Sequence, residues 1–208
     1  MLHSRSLRGL ATTLSVLCMT LLAGQSAQAS PAHFGANLSG SIFVNNAYTG
    51  PTCDHVMTGG SGTFKCTWIE ANAYNTGGSG IPGAQAPKDG KINKIKLIAG
   101  TGGSFTLQIA HFNQTTHKGS VVTTGPKITY ATDPCPSSCS IQTLTIAPIQ
   151  VHKGDYLAIK AGKASLLNCF SGSLHTALFT PPLVAGNPSV TETGDDGCYM
   201  LLQAVYKS

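Results

Sequence analysis

Beyond residue 8 the chain contains no arginine: Arg5 and Arg8 stand alone, and every other basic residue is a lysine. Arginine's planar fork is the usual tool for bidentate recognition of a phosphate or a base edge, so its absence argues against a sequence-reading nucleic-acid binder. Charge of either sign is scarce, with Asp, Glu, Lys and Arg together at 10% of residues. Helical signals are missing, since no three-turn run carries an apolar stripe with caps. Past the first 29 residues no apolar stretch is long enough to cross a bilayer, and no membrane span is expected. A Cys-x-x-Cys pair is absent, which removes thioredoxin-type redox chemistry. A Gly-x-Ser-x-Gly elbow is absent too, because Gly60-Ser61-Gly62 and Gly78-Ser79-Gly80 lack its spacing and precede no helix. The histidines show no His-x-His or His-x3-His spacing, and Cys135-x3-Cys139 is half a zinc site with no second half.

What is present begins with a leader. Arg5 and Arg8 make a positive start, Gly9 to Leu22 is uncharged and apolar, and Ala27-Gln28-Ala29 is a small-x-small cleavage site. This is the pattern of a secretory signal peptide over residues 1–29, with Ser30 as the expected mature N-terminus. Cys18 follows Leu17, where a lipoprotein signal requires a small residue, so a lipid anchor is not expected. The expected location is secreted or extracytoplasmic. Residues 30–208 are long enough for one domain with a substantial core. Residues 30–65 read as a loosely attached strand or hairpin, and Ser30 to Asn37 as flexible.

Export places the chain where cysteines pair. Without Cys18 an even set remains: Cys53, Cys66, Cys135, Cys139, Cys169 and Cys198. Sequence alone leaves the connectivity open, and local pairing costs the least loop entropy. Cys53 and Cys66 flank a turn-rich stretch, Cys135 and Cys139 bracket a short loop, and Cys169 and Cys198 remain for each other.

Strand signals run through the mature chain. Ser41 to Val44 is short and apolar. Cys66 to Ala71 is a candidate strand, as is Lys91 to Ala99 with Ile92, Ile95 and Leu97 apolar. Ser104 to Phe112 alternates, with Phe105, Leu107, Ile109 and His111 on one face. Val121-Val122 and Ile128 to Tyr130 are two strands or one interrupted at Gly125-Pro126. Ile141 to Ile146 alternates with Ile141, Leu144 and Ile146 inward, and Tyr156 to Lys160, Leu166 to Phe170, Leu174 to Phe179 and Cys198 to Tyr206 follow. The fold class expected is all-β: a disulfide-reinforced, jelly-roll-like antiparallel β-sandwich. Its core should include Phe105, Leu107, Ile109, Leu144, Ile146, Leu157, Ile159 and Leu202.

Ala86-Pro87-Lys88-Asp89-Gly90-Lys91-Ile92 leads into one strand and Val151-His152-Lys153-Gly154-Asp155-Tyr156-Leu157-Ala158-Ile159 into another. With these elements the chain resembles secreted bacterial jelly-roll proteins of uncharacterised function, and the Gly-Asp strand entry recurs in trimeric jelly rolls of the tumour-necrosis-factor type. The resemblance covers residues 66 to 206, implies fold alone and carries no catalytic residue. Gly-Asp also has a local cause: glycine supplies a positive φ, and aspartate bonds its own turn.

Candidates for chemistry are few. Glu70 stands beside Trp68, the single tryptophan, and a sugar hydrolase could use Glu70 with a loop aspartate as its acid pair. The plainer expectation is that Trp68 is core and Glu70 points outward. His111 reads as a core or rim residue and His152 as exposed. No cofactor is expected. A structural calcium on the loop oxygens of Asp133 and Asp195-Asp196 is the one metal the sequence allows. Asn37-Leu38-Ser39 and Asn113-Gln114-Thr115 fit the glycosylation sequon. Lys88, Lys91, Lys94 and Lys96 form the local basic cluster, read as the solvent face of a strand, with a polyanion or membrane-surface patch as the alternative. The function expected is a secreted non-enzymatic β-sandwich that binds an extracellular glycan or protein, or itself, at the cell exterior. Loops on a rigid β scaffold are the usual binding positions, so Tyr74, Asn75, Asn187, Asp195 and Asp196 are the ligand-contact candidates. The alternative is the polysaccharide hydrolase. A non-reducing peptide map is expected to give Cys53–Cys66, Cys135–Cys139 and Cys169–Cys198; any crossed pair contradicts the local-pairing argument.

Overall fold

The computed structural model of the protein describes residues 32–38, 53, 65–72, 83–133, 140–162, 167–169, 176–195 and 198–207. The strands within them are β1 (Ala32–Gly35), β2 (Cys66–Glu70), β3 (Gly90–Leu97), β4 (Gly103–Asn113), β5 (Lys118–Tyr130), β6 (Gln142–Val151), β7 (Tyr156–Ala161), β8 (Leu167–Cys169), β9 (Thr176–Phe179), β10 (Val190–Thr191), β11 (Gly194–Asp195), β12 (Cys198–Met200) and β13 (Leu202–Lys207). A four-stranded sheet runs β1-β13-β3-β6, a seven-stranded sheet runs β10-β5-β4-β7-β2-β9-β11, and β12 and β8 form a ribbon. Every ladder is antiparallel.

Alternation explains the main core. Ile92, Ile95, Leu97, Leu202 and Tyr206 of the small sheet meet Trp68, Phe105, Leu107, Ile109, Leu157 and Ile159 of the large one in a single apolar cluster. Burying side chains of this size contributes about 1.5–3 kcal/mol each. All the residues expected in the core are buried except Leu144, which is half-buried and packs on its edge. Ile141 is a correction: it lies before β6 and is 44% exposed. The flexible reading of Ser30 to Asn37 is also overturned from Ala32 onward. Ala32 to Gly35 pair with β13, and Phe34 is fully buried with its ring edge-on to Tyr206. Gly125-Pro126 does not split β5; the strand continues and its register against β4 shifts between Thr106 and Gln108. Ser41 to Val44 lies outside the described residues.

The large sheet is buried on its second face as well. There Ile69, Ala71, Ala110, Phe112, Tyr156, Ala158, Ala177 and Phe179 form another cluster, closed over by Leu183. The segment after β9, expected to be an irregular loop, crosses this face. Leu183 N donates to Thr67 Oγ1 (3.1 Å), Thr67 Oγ1 donates to Gln108 Oε1 (2.9 Å), and Gln108 Nε2 donates to Leu183 O (3.2 Å). The ring of three bonds satisfies buried polar groups that would otherwise be costly. Beyond it, Ala185 bridges Val121 and β10 pairs with β5. Three residues after β10, β11 pairs with β9. Glu192 N donates to His117 O and Thr193 N to Leu178 O, both at 2.8 Å. One short segment therefore ties together the two ends of the sheet, which curls around the second cluster. Small residues permit the curl. A Cβ on Gly119 would stand 2.5 Å from Phe179 Cζ, so only glycine admits that ring.

Cys53 and Cys66 are disulfide-bonded. Cys198 is disulfide-bonded as well, and the β8–β12 register sets Cys169 directly opposite it. Cys135 and Cys139 lie outside the described residues. For the Thr67–Gln108–Leu183 ring, Gln108→Leu is expected to lower unfolding free energy by about 1–3 kcal/mol, because Leu183 O loses its partner. Thr67→Val should cost a similar amount, and the double variant less than the sum. Urea unfolding of the single and double variants checks this, and full additivity would contradict a shared network.

Candidate functional site

The outer face of the four-stranded sheet is built by two interruptions of strand alternation. Ile92 and Ile95 both face the core although three residues apart, so Asn93 is extra. The pairing of β3 with β6 shifts between Ile92 and Lys94, opposite Ile149 and Thr145. The surplus on β6 includes Pro148. Proline has no ladder donor and is tolerated on edge strands and at bulges, and β6 is the edge of this sheet. The irregularity opens a cleft of about 530 Å3 lined by Asp89, Gly90, Lys91, Asn93, Pro148, Gln150 and Lys207. Asp89 is fixed at its rim, where Oδ1 accepts the Lys153 amide at 2.7 Å. The cross-strand rows beneath are Lys207–Lys91–Gln150, Val205–Lys94–Thr145 and Gln203–Lys96–Thr143. On the neighbouring β1, burial first and the Lys96 charge second hold the His33 imidazole below its ordinary value.

Glu70 departs from the sequence reading. It is fully buried rather than outward, on the same face of β2 as Trp68, which is core as expected. Among the described residues neither carboxyl oxygen has a hydrogen-bond partner, nor does Thr176 Oγ1 opposite it on β9. A Cβ on Gly35 would lie 3.1 Å from Glu70 Oε2 and 2.9 Å from Leu157 Cδ1, so the carboxyl abuts the end of β1 and an apolar side chain. Desolvation pushes its pKa well above the ordinary carboxyl range.

The turn before β7 follows its sequence. Gly154 has φ +92°, and Asp155 Oδ2 accepts the His152 amide at 2.7 Å. Asp155 is fully buried with His111 Nε2 2.9 Å from Oδ1 and His152 Nδ1 3.8 Å from Oδ2. His111 is a rim residue, its side chain 65% exposed, and His152 is exposed as expected.

The loop candidates are not brought together by what is described. Tyr74, Asn75 and Asp196 lie outside the described residues. Asn187 is exposed in the turn closed by its amide on Val184 O, and Asp195 is exposed in β11 opposite Ala177. For calcium, Asp133 is engaged by the Ser140 amide and hydroxyl, on a different element from Asp195. Among the described residues no group of three or more His, Cys, Asp or Glu side chains is placed to hold a metal ion. Among them also, no helix is long and apolar enough to cross a membrane. The sequence reading passed over Asn93, Pro148, Gln150 and Lys207. The signal for them was the three-residue step from Ile92 to Ile95 and a proline inside an otherwise alternating strand.

No protein-family model, no curated protein and no solved structure matches the chain.

Glu70 gives the site a measurable pH signature. Its folded-state pKa is raised, so the folded protein holds the proton more tightly than the unfolded chain. Stability from this group is full below the ordinary value near 4.5 and is lost as pH rises toward the folded value. Unfolding free energies measured from acid to neutral pH should fall more steeply for the natural protein than for Glu70→Gln. Parallel slopes would contradict the buried, unpartnered carboxyl.

Proposed function

We propose that the protein is an exported, non-enzymatic β-sandwich that binds a ligand at the cell exterior on the outer face of its four-stranded sheet. The observation that carries this reading is the cleft at the Asn93 and Pro148 irregularity. It is open, lined by amide and charged side chains, and seated on strands whose other face is packed into the core. A ligand site on rigid strands keeps its geometry better than one on loops. The disulfides are compatible with export, and the Gly154–Asp155 turn supports kinship with exported jelly-roll proteins.

Two comparisons support binding over the alternatives. Self-assembly through this sheet calls for a flat apolar outer face, whereas the rows here carry Lys91, Lys94, Lys96, Lys207, Gln150 and Gln203. Polysaccharide hydrolysis calls for two carboxyls facing across an open cleft, whereas Glu70 is closed off from solvent and Asp89 is the one carboxylate among the described residues of the cleft. An array of neutral and acidic glycans, read with gel filtration of the same preparation, tests the proposal. Selective glycan binding by a monomer is expected, abolished by Asn93→Trp, which fills the cleft. Release of reducing sugar that disappears in Glu70→Gln would overturn it in favour of the hydrolase.

A further inference from the structure

We infer that the ligand of this face is a linear anionic polysaccharide, held by Lys91 and Lys207 at the cleft and by Lys94 and Lys96 along β3. The inference rests on the binding reading above and names its substrate class.

Lys91 and Lys207 are direct cross-strand partners, and both line the cleft. Like charges directly opposite one another destabilise a sheet. None of the four strands supplies a carboxylate to offset them: β1, β3, β6 and β13 contain neither aspartate nor glutamate. Asp89 at the rim, its Oδ1 held by the Lys153 amide, supplies one negative charge against the two ammonium groups of the lining, which leaves the cleft net positive. A bound anion between the two ammonium groups removes the repulsion, so the ligand completes the electrostatics of the face.

The shape of the positive region selects a polymer. Lys94 and Lys96 extend it along β3 away from the cleft, and five residues of strand separate Lys91 from Lys96, a run of about 16 Å at strand rise. That is a line of point charges. Lysine supplies compact, rotatable donors without a bidentate fork, which suits acid groups repeated along a chain. The amides of Asn93, between Lys91 and Lys94, and of Gln150, beside Lys91 on β6, offer donors and acceptors to hydroxyl groups. Other polyanionic surfaces fit less well. Among the described residues no aromatic side chain lines the cleft for a nucleic-acid base to stack on. The rows present no large apolar side chain to enter a lipid surface beyond Val205, which is itself buried.

The test uses the full exported chain with polygalacturonate as the carboxylated probe, dextran sulfate as the sulfated one and unmodified dextran as the neutral one. Vesicles containing phosphatidylglycerol serve as the membrane arm. Binding to one or both acidic polymers and none to dextran is expected, and their ratio identifies the acid group recognised. Affinity should fall about tenfold or more between about 20 and about 300 mM salt, as screening requires. Lys91→Gln with Lys207→Gln should weaken binding at least about tenfold while leaving thermal stability equal or higher, because a repulsive pair is removed. Lys118→Gln with Lys127→Gln, two exposed lysines of the other sheet, should change it less than about twofold. Equal loss in both pairs, or binding to vesicles without the polymers, overturns the inference. If a neutral glycan binds instead and Asn93→Trp blocks it, the anionic reading falls and the cleft stands. If Asn93→Trp changes binding to no polymer, both fall.

Discussion

The middle of the seven-stranded sheet, β2, β7, β9 and Leu107 to Ala110 of β4, is buried on both faces, and the rest of the molecule follows from that constraint. A half-buried sheet needs one apolar face; this one needs two. Strand β4 shows how they are supplied, with Phe105, Leu107 and Ile109 toward the small sheet and Ala110 and Phe112 away from it. Gln108 sits among the latter as a polar residue that cannot be left unpaired. It is satisfied by Thr67 and by the backbone of Leu183, which fixes the covering segment on the sheet. The same segment ends by bonding to His117 on one side and Leu178 on the other. Removing water from the second face and tying the ends of the sheet are thus one event.

With the middle of the large sheet consumed on both faces, the strands that meet solvent are those of the four-stranded sheet and β5. The inner face of the four-stranded sheet is apolar and fixed by the shared core. Its outer face is free to differ, and it does so at one place, where Asn93 and Pro148 break the ladder between β3 and β6. The cleft is a product of the same backbone irregularity that keeps Ile92 and Ile95 both inward. Lysines gather there in excess over the one carboxylate of the described lining, Asp89, an arrangement that a sheet selected for stability alone would avoid.

The two-residue period made the strands and most of the inter-sheet core legible from the residues. The pattern named Phe105, Leu107, Leu157 and Leu202 because each lies among alternating neighbours. It misread Ile141, since alternation does not show where a strand begins. It also missed the second core, because Ala71, Ala110, Ala158 and Ala177 are too small to signal burial. Glu70 looked outward for its charge alone; burial of a carboxyl without a partner leaves no trace in sequence. The crossing segment from Pro181 to Asp195 carried turn residues that fit a solvated loop equally well. Its anchoring depends on Thr67 and Gln108, far away in the chain. For the cleft, Lys91, Lys94 and Lys96 were visible as a cluster, but Lys207 joins them through the β13–β3 register alone.

Hydrogen–deuterium exchange on the full chain, with and without polygalacturonate, tests most directly the claim of a scaffold buried on both faces at its centre and presenting one working face. The account predicts that the amides of Leu183, Glu192 and Thr193 exchange only with global unfolding, and that the polymer slows exchange in residues 90–97, 142–151 and 202–207. Early exchange of those three amides, or ligand protection confined to the large sheet and its crossing segment, would contradict it.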